Sequence, residues 1–191
     1  KHAKNGLAFQ EYHVVSDTID VKEAVDIGSK IQDSLKEIIN KELGDTSLVL
    51  GDEGGYAPLI SDIRKPLEYL REAIEKNNLK EKVRLALDVA SSSFYKNGKY
   101  QVDGKDITKE ELTEIYDSLI KEFNLISIED PFDEEDFKSF TKFKEKENKK
   151  KETDKTGSMT NNSLNQLTHN YKENIQNKGK KLKIEELTQQ N

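Results

Sequence analysis

Apolar positions along the first 143 residues change period several times, and each change marks an expected element. "LAFQEYHVV" (7–15) is short, apolar and β-prone, which suits a strand ending near Ser16. Val21, Ala24, Val25, Ile27, Ile31, Leu35, Ile38 and Ile39 then recur at spacings of three and four. That period predicts a helix from about 21 to 43, with Asp20 as N-cap and Gly44 as stop. A second helix, about 64–77, places Leu67, Leu70, Ala73 and Ile74 on one face. "VRLALDVASS" reads as a buried strand ending at Asp88, and Asn97-Gly98 between β-prone residues signals a type I′ hairpin. Thr108 and Glu111 stand in capping-box spacing ahead of Leu112, Ile115, Tyr116, Leu119 and Ile120 on one helical face. "NLISIED" (124–130) is the next buried strand, stopped by Pro131, and a helix from about 133 carries Phe137, Phe140 and Phe143.

Two buried strands, each followed by an amphipathic helix, predict an α/β fold with a parallel sheet and helices outside it. The pattern fades after Phe143. Residues 141–191 are rich in Lys, Asn and Gln, and only 9 of them are clearly apolar. Such a segment buries too little surface to offset its ordering entropy, so a disordered or loosely helical tail is expected. The expected division is a domain over 1–146 and a tail over 147–191.

Composition narrows the function classes. Of 191 residues, 33% are hydrophobic and 36% charged, with a net charge of −6. Residues 141–191 hold 12 Lys against 7 Asp+Glu, which leaves 19 basic against 30 acidic groups before them. The acidic part repels phosphate, so nucleic acid is not an expected partner. No cysteine is present, which removes disulfides and thiolate metal sites and fits a reducing compartment. No apolar run approaches the roughly 20 residues that span a bilayer, so no membrane partner is expected and a cytoplasmic location is. There is no P-loop, no G-x-S-x-G and no Cys–His pair, and "GDEGG" lacks dinucleotide-loop spacing.

The acids hold the candidate chemistry. Asp88 and Glu129 both follow uninterrupted apolar runs and are offset by one strand–helix unit. At the C-terminal rim of a (β/α) barrel, two such carboxylates face one mouth, and without basic partners they favour a hard cation such as magnesium. Either could equally be a turn residue or the N-cap of the next element. Asp52-Glu53 between glycines is by itself an ordinary solvated turn. Glu11 interrupts a strand: unremarkable on an exposed face, costly on an inward one. His2 and His13 have no metal-ligand spacing to each other.

Four blocks together resemble the enolase family: "KHAKNGLAFQEY" (1–12), "GDEGGYAP" (51–58), "LALDVASSSFY" (85–95) and "SIEDPFDEEDF" (127–137), in the family's order and spacing. The resemblance covers roughly residues 1–145 and implies the first half of a C-terminal TIM barrel domain, a half-barrel. It implies magnesium-dependent, reversible dehydration of 2-phosphoglycerate to phosphoenolpyruvate in glycolysis. Asp88 and Glu129 would be two of three magnesium-binding carboxylates. Glu53, with Glu11, would handle the departing hydroxyl; His2, on a substrate-contacting loop, and Glu11 would bind substrate. Lys4 stands where the family has Gly, and Ser93 where many members have an acid. The family's third metal-binding Asp, its lysine base and its N-terminal domain have no counterpart in this sequence. The tail is expected to be unrelated sequence, from a frame change or a fusion. Full-length members form homo-oligomers. The expectation for this chain is incomplete activity, or a non-catalytic half-barrel that binds metal weakly or self-associates.

Overall fold

Most of the expected elements form in the computed structural model, which describes residues 5–45 and 48–154. In chain order they are β1 Glu11–Ser16, α1 Val21–Leu43, α2 Lys65–Lys76, β2 Val83–Asp88, β3 Tyr95–Lys96, β4 Lys99–Val102, β5 Lys105–Ile107, α3 Lys109–Phe123, β6 Ile128–Glu129 and α4 Phe137–Asp154. A 3₁₀ turn, Ser91–Phe94, joins β2 to β3. The chain divides into two units, 1–141 and 142–191.

Local chemistry sets the boundaries. Asp20 caps α1 by accepting from the Lys22 and Glu23 amides at 2.8 and 3.2 Å, a device worth about 1 kcal/mol. Gly44 ends the helix at φ 85°. Pro66 sits in the first turn of α2, whose Leu67, Leu70, Ala73 and Ile74 are buried as the spacing predicts. The capping box at Thr108 and Glu111 is formed in both directions. Asn97 and Gly98 both take positive φ, 51° and 81°, as a type I′ hairpin requires.

Two sheets result. β1, β2 and β6 form one in that spatial order, with β1 antiparallel and β6 parallel to β2. β3, β4 and β5 form an antiparallel meander. The architecture is mixed α/β, and among the described residues no barrel closes. β2 is the buried centre: Val83, Leu85 and Leu87 alternate on one face, with Ala86 buried on the other. Among the described residues no helix is long and apolar enough to cross a membrane.

Four details depart from the sequence reading. Leu7, Ala8 and Phe9 are buried but precede the strand, which starts at Glu11; Phe9 instead packs its ring on Phe94 and Tyr116. Val21 and Val25 are 78% and 61% exposed, so only the later turns of α1 supply its buried face. The strand expected over 124–130 is regular only at Ile128–Glu129, because Asn124 is spent on the αL cap of α3. Its contact with β2 is longer than that label, since the Ile126 amide donates to the Leu85 carbonyl and the Leu87 amide to Ser127. Finally, α4 starts at Phe137 rather than 133, because Asp133 and Asp136 close turns ahead of it; Phe137 itself is 72% exposed. Of the expected tail, 147–154 continues α4 as helix, and 155–191 lies outside the described residues.

Candidate active site

Backbone register brings three of the sequence-nominated acids into one row. Glu11 pairs with Asp88 across the antiparallel ladder, and Asp88 pairs with Glu129 across the parallel one. Hydrogen bonds fix which way each strand faces. The Asp17 amide donates to the Lys82 carbonyl at 2.9 Å, so Glu11, His13 and Val15 turn their backbone groups toward β2. The Val89 amide donates to the Glu129 carbonyl at 3.0 Å on the other side of β2. Neighbouring strands stand about 4.8 Å apart, so the row spans three acids over two strand spacings. Glu11 begins its strand while Asp88 and Glu129 end theirs, and the antiparallel direction of β1 reconciles the two.

Asp88 is half-buried. Its Oδ2 accepts from Gln10 Nε2 at 3.1 Å and its Oδ1 from the Ala90 amide at 3.1 Å. Burial, and then the charges of Glu11 and Asp130, push its carboxyl above the ordinary range. Glu11 goes the other way: His13 Nε2 lies 2.8 Å from its Oε2, and that hydrogen bond holds the carboxyl low. Glu129 is exposed. Immediately beyond the two strand ends, Ala90 and Asp130 both take left-handed φ, 48° and 45°. For non-glycine residues this costs on the order of 1 kcal/mol each and has to be held by surrounding bonds.

Glu53 arrives by a different route. Leu50 and Tyr56 form an isolated antiparallel bridge that pinches the loop between them. Inside it the Gly51 amide donates to Gly55 at 2.8 Å, and the Gly54 amide to Gly51 at 3.0 Å. Gly54 takes φ 81°, which a side chain would resist. Gln32 of α1 tethers the loop by donating to the Gly54 carbonyl at 3.3 Å. Asp52 and Glu53 are both exposed, and with Gln10, Glu11 and His13 they line one cleft of about 600 Å³.

Glu11 therefore belongs to two groupings, the row with Asp88 and Glu129 and the cleft with Glu53. Asp88 and Glu129 are not among the residues lining the cleft. His2, also nominated by the sequence, lies outside the described residues. Sequence reasoning passed over His13 and Gln10, which respectively bond Glu11 and Asp88. The signal for His13 was available, since residues two apart on a strand share a face.

The donor set is chemically suited to a hard cation. Its groups are carboxylate oxygens, and a cation beside Asp88 would offset the burial of its charge and the repulsion from Glu11 and Asp130. Among the described residues no three His, Cys, Asp or Glu side chains are gathered closely enough to form a metal cage.

Comparison with known proteins agrees with the four blocks. A family model described as enolase, C-terminal TIM barrel domain, matches residues 1–184. The enolase of Methanocaldococcus jannaschii is 43% identical over 141 residues, which is 73% of this chain and 33% of that protein. The chain thus spans about a third of the length of that curated relative. An acid row in register, a glycine-pinched acidic loop beside it and matches of this extent have one common explanation: the chain belongs to the enolase family, in the part that forms the C-terminal TIM barrel domain.

Proposed function

We propose that this chain is a half-barrel portion of an enolase-type lyase, with a domain over 1–146 and a tail over 147–191, acting on 2-phosphoglycerate and phosphoenolpyruvate in the cytoplasm. The observation that supports this best is the register that aligns Glu11, Asp88 and Glu129 while Glu53 shares a cleft with Glu11.

In this reading Asp88 and Glu129 would hold magnesium. Bound there, the ion would supply positive charge against the dianion formed when a proton leaves the carbon next to the substrate carboxylate. The remaining chemistry falls to side chains. Glu53 would protonate the departing hydroxyl, and Glu11, held by His13, would orient the group leaving as water. His2 would touch substrate from its loop. Gly54 and Gly55 would let the Glu53 backbone approach closely. A base is also required, and no lysine stands in the acid row among the described residues. Assayed by itself with magnesium and 2-phosphoglycerate, the chain is expected to form little phosphoenolpyruvate, and turnover abolished by Glu53→Gln would overturn that. Calorimetric titration with magnesium tests the metal reading directly, and absence of heat at millimolar metal would sink it.

A second reading is favoured by one feature. Among the described residues β1 and β6 are both edge strands of a three-stranded sheet, and unpaired edges invite pairing with another chain. A non-catalytic, self-associating half-barrel would sediment as a concentration-dependent oligomer; a concentration-independent monomer would remove this alternative.

A further inference from the structure

One buried side chain touches the run-in or run-out of all three acid-bearing strands. Tyr116, on α3, is fully buried. Its hydroxyl donates to the Pro131 carbonyl at 2.7 Å, and Pro131 is two residues past Glu129. The same oxygen lies 3.3 Å from Ser91 Oγ, and Ser91 is three residues past Asp88. Its ring meets Phe9 at 5.9 Å between centroids, and Phe9 is two residues ahead of Glu11.

The bonds around it form a closed frame. The Ser91 amide donates to the Asp130 carbonyl at 3.1 Å, and the Val89 amide donates to Glu129. Ser91 is itself fully buried. The two strained residues, Ala90 and Asp130, lie inside this frame, one on each strand end. Left-handed conformations at an alanine and an aspartate revert unless held, and the hydroxyl of Tyr116 bonds to both turns at once. A phenyl ring of the same shape would fill the same space. The hydroxyl adds its bonds to the two turns, so packing alone does not account for it.

We propose that Tyr116 is a positioning residue, whose hydroxyl sets the spacing of Asp88 and Glu129 by clamping the turns that follow them. The metal half of this inference rests on the function proposed above; the clamp itself does not. It has no need to touch metal or substrate, since it acts through the backbone of both strand ends.

The test compares the full chain with Tyr116→Phe, which keeps the ring and deletes both hydroxyl bonds, and with Ser91→Ala, which deletes one. Amide hydrogen exchange is read first, without metal. In Tyr116→Phe the Val89 and Ser91 amides are expected to exchange about tenfold faster, the loss of roughly one hydrogen bond, while His13 and Ala86 stay unchanged. Mn2+ titration followed by electron paramagnetic resonance is read second. Its affinity is expected to fall about tenfold, in the range seen when groups supporting metal ligands are removed, with a smaller fall for Ser91→Ala. Unchanged exchange at Val89 and Ser91 overturns the clamp. Exchange that rises equally at His13 and Ala86 also overturns it, because it reports general loosening. A wild-type chain that binds no Mn2+ refutes the metal reading and the metal half of the inference, leaving the clamp to be judged by exchange alone.

Discussion

The acid row and the Gly51–Pro58 loop place their carboxylates by different physics. In the row, each acid occupies a rung of a hydrogen-bonded ladder whose central strand, β2, is buried at Val83, Leu85, Ala86 and Leu87, so its position follows from that core strand. In the loop, Glu53 depends on a single bridge between Leu50 and Tyr56, a few turn bonds and a tether from Gln32. An acid on a rung moves only if the sheet moves. An acid in a pinched loop can move while the sheet stays. Ligand-holding groups suit the first arrangement, and a group that must reach a leaving hydroxyl suits the second.

Four substitutions break or sharpen that contrast. The largest effect is expected from Leu87→Ala, one residue before Asp88 and 1% exposed. It should cost about 2–5 kcal/mol in denaturant unfolding and take metal binding down with it, because the row is built on that core. A variant that loses stability but binds Mg2+ as before would separate the row from the core. Next comes Asp88→Asn, whose single side-chain oxygen still accepts from the Ala90 amide and whose NH2 can meet Gln10 once that side-chain amide turns over, while the proposed metal ligand is removed. Mg2+ affinity measured by calorimetry should fall more than about tenfold, without loss of stability.

Gly54→Ala probes the loop. Apart from its two chain neighbours, no described residue comes within 4 Å of the added methyl group, so the φ of 81° is what opposes it. About 1 kcal/mol of local strain is expected, visible as faster amide exchange at Gly54 and Gly55, with Mg2+ affinity unaltered. An equal fall in metal affinity would show that loop and row are one unit.

The smallest effect is a matter of sign. Glu11 is held below its ordinary range, so its ionised form favours the folded state; that contribution is present at neutral pH and lost on acidification through its folded pKa. Asp88 is held above its range, so its ionised form opposes folding at neutral pH and ceases to as the pH drops. Thermal unfolding across pH should therefore find Glu11→Gln less stable and Asp88→Asn more stable than wild type near pH 7. Both differences should shrink toward acid. Shifts of the same sign would contradict the opposed environments of these two neighbours in the ladder.

Much of this was legible in the residues alone. Helix boundaries were, because capping is local: Asp20, Gly44, Thr108 and Glu111 act within one turn of themselves. The Asn97-Gly98 turn was legible for the same reason. Asp88 and Glu129 were legible as strand-end acids because an apolar run that stops at a carboxylate is visible in sequence. Glu53 by itself read as a solvated turn, and only its place among four blocks made it a candidate. Less legible were the start of β1, the start of the strand that carries Glu129 and the start of α4. At β1, tertiary packing outweighed local propensity, as with Phe9, which joins an aromatic cluster before the strand begins.

What the sequence by itself determined is which residues cap, turn, alternate and carry charge, since each of those depends on near neighbours along the chain. What only the tertiary structure decided is who stands beside whom. The antiparallel direction of β1 puts Glu11 level with Asp88, although the two are 77 positions apart. The fold of α3 over the sheet brings Tyr116 to Pro131 and Ser91. Register and burial are properties of the assembled sheet and its core, and no window along the chain contains both partners of such a contact.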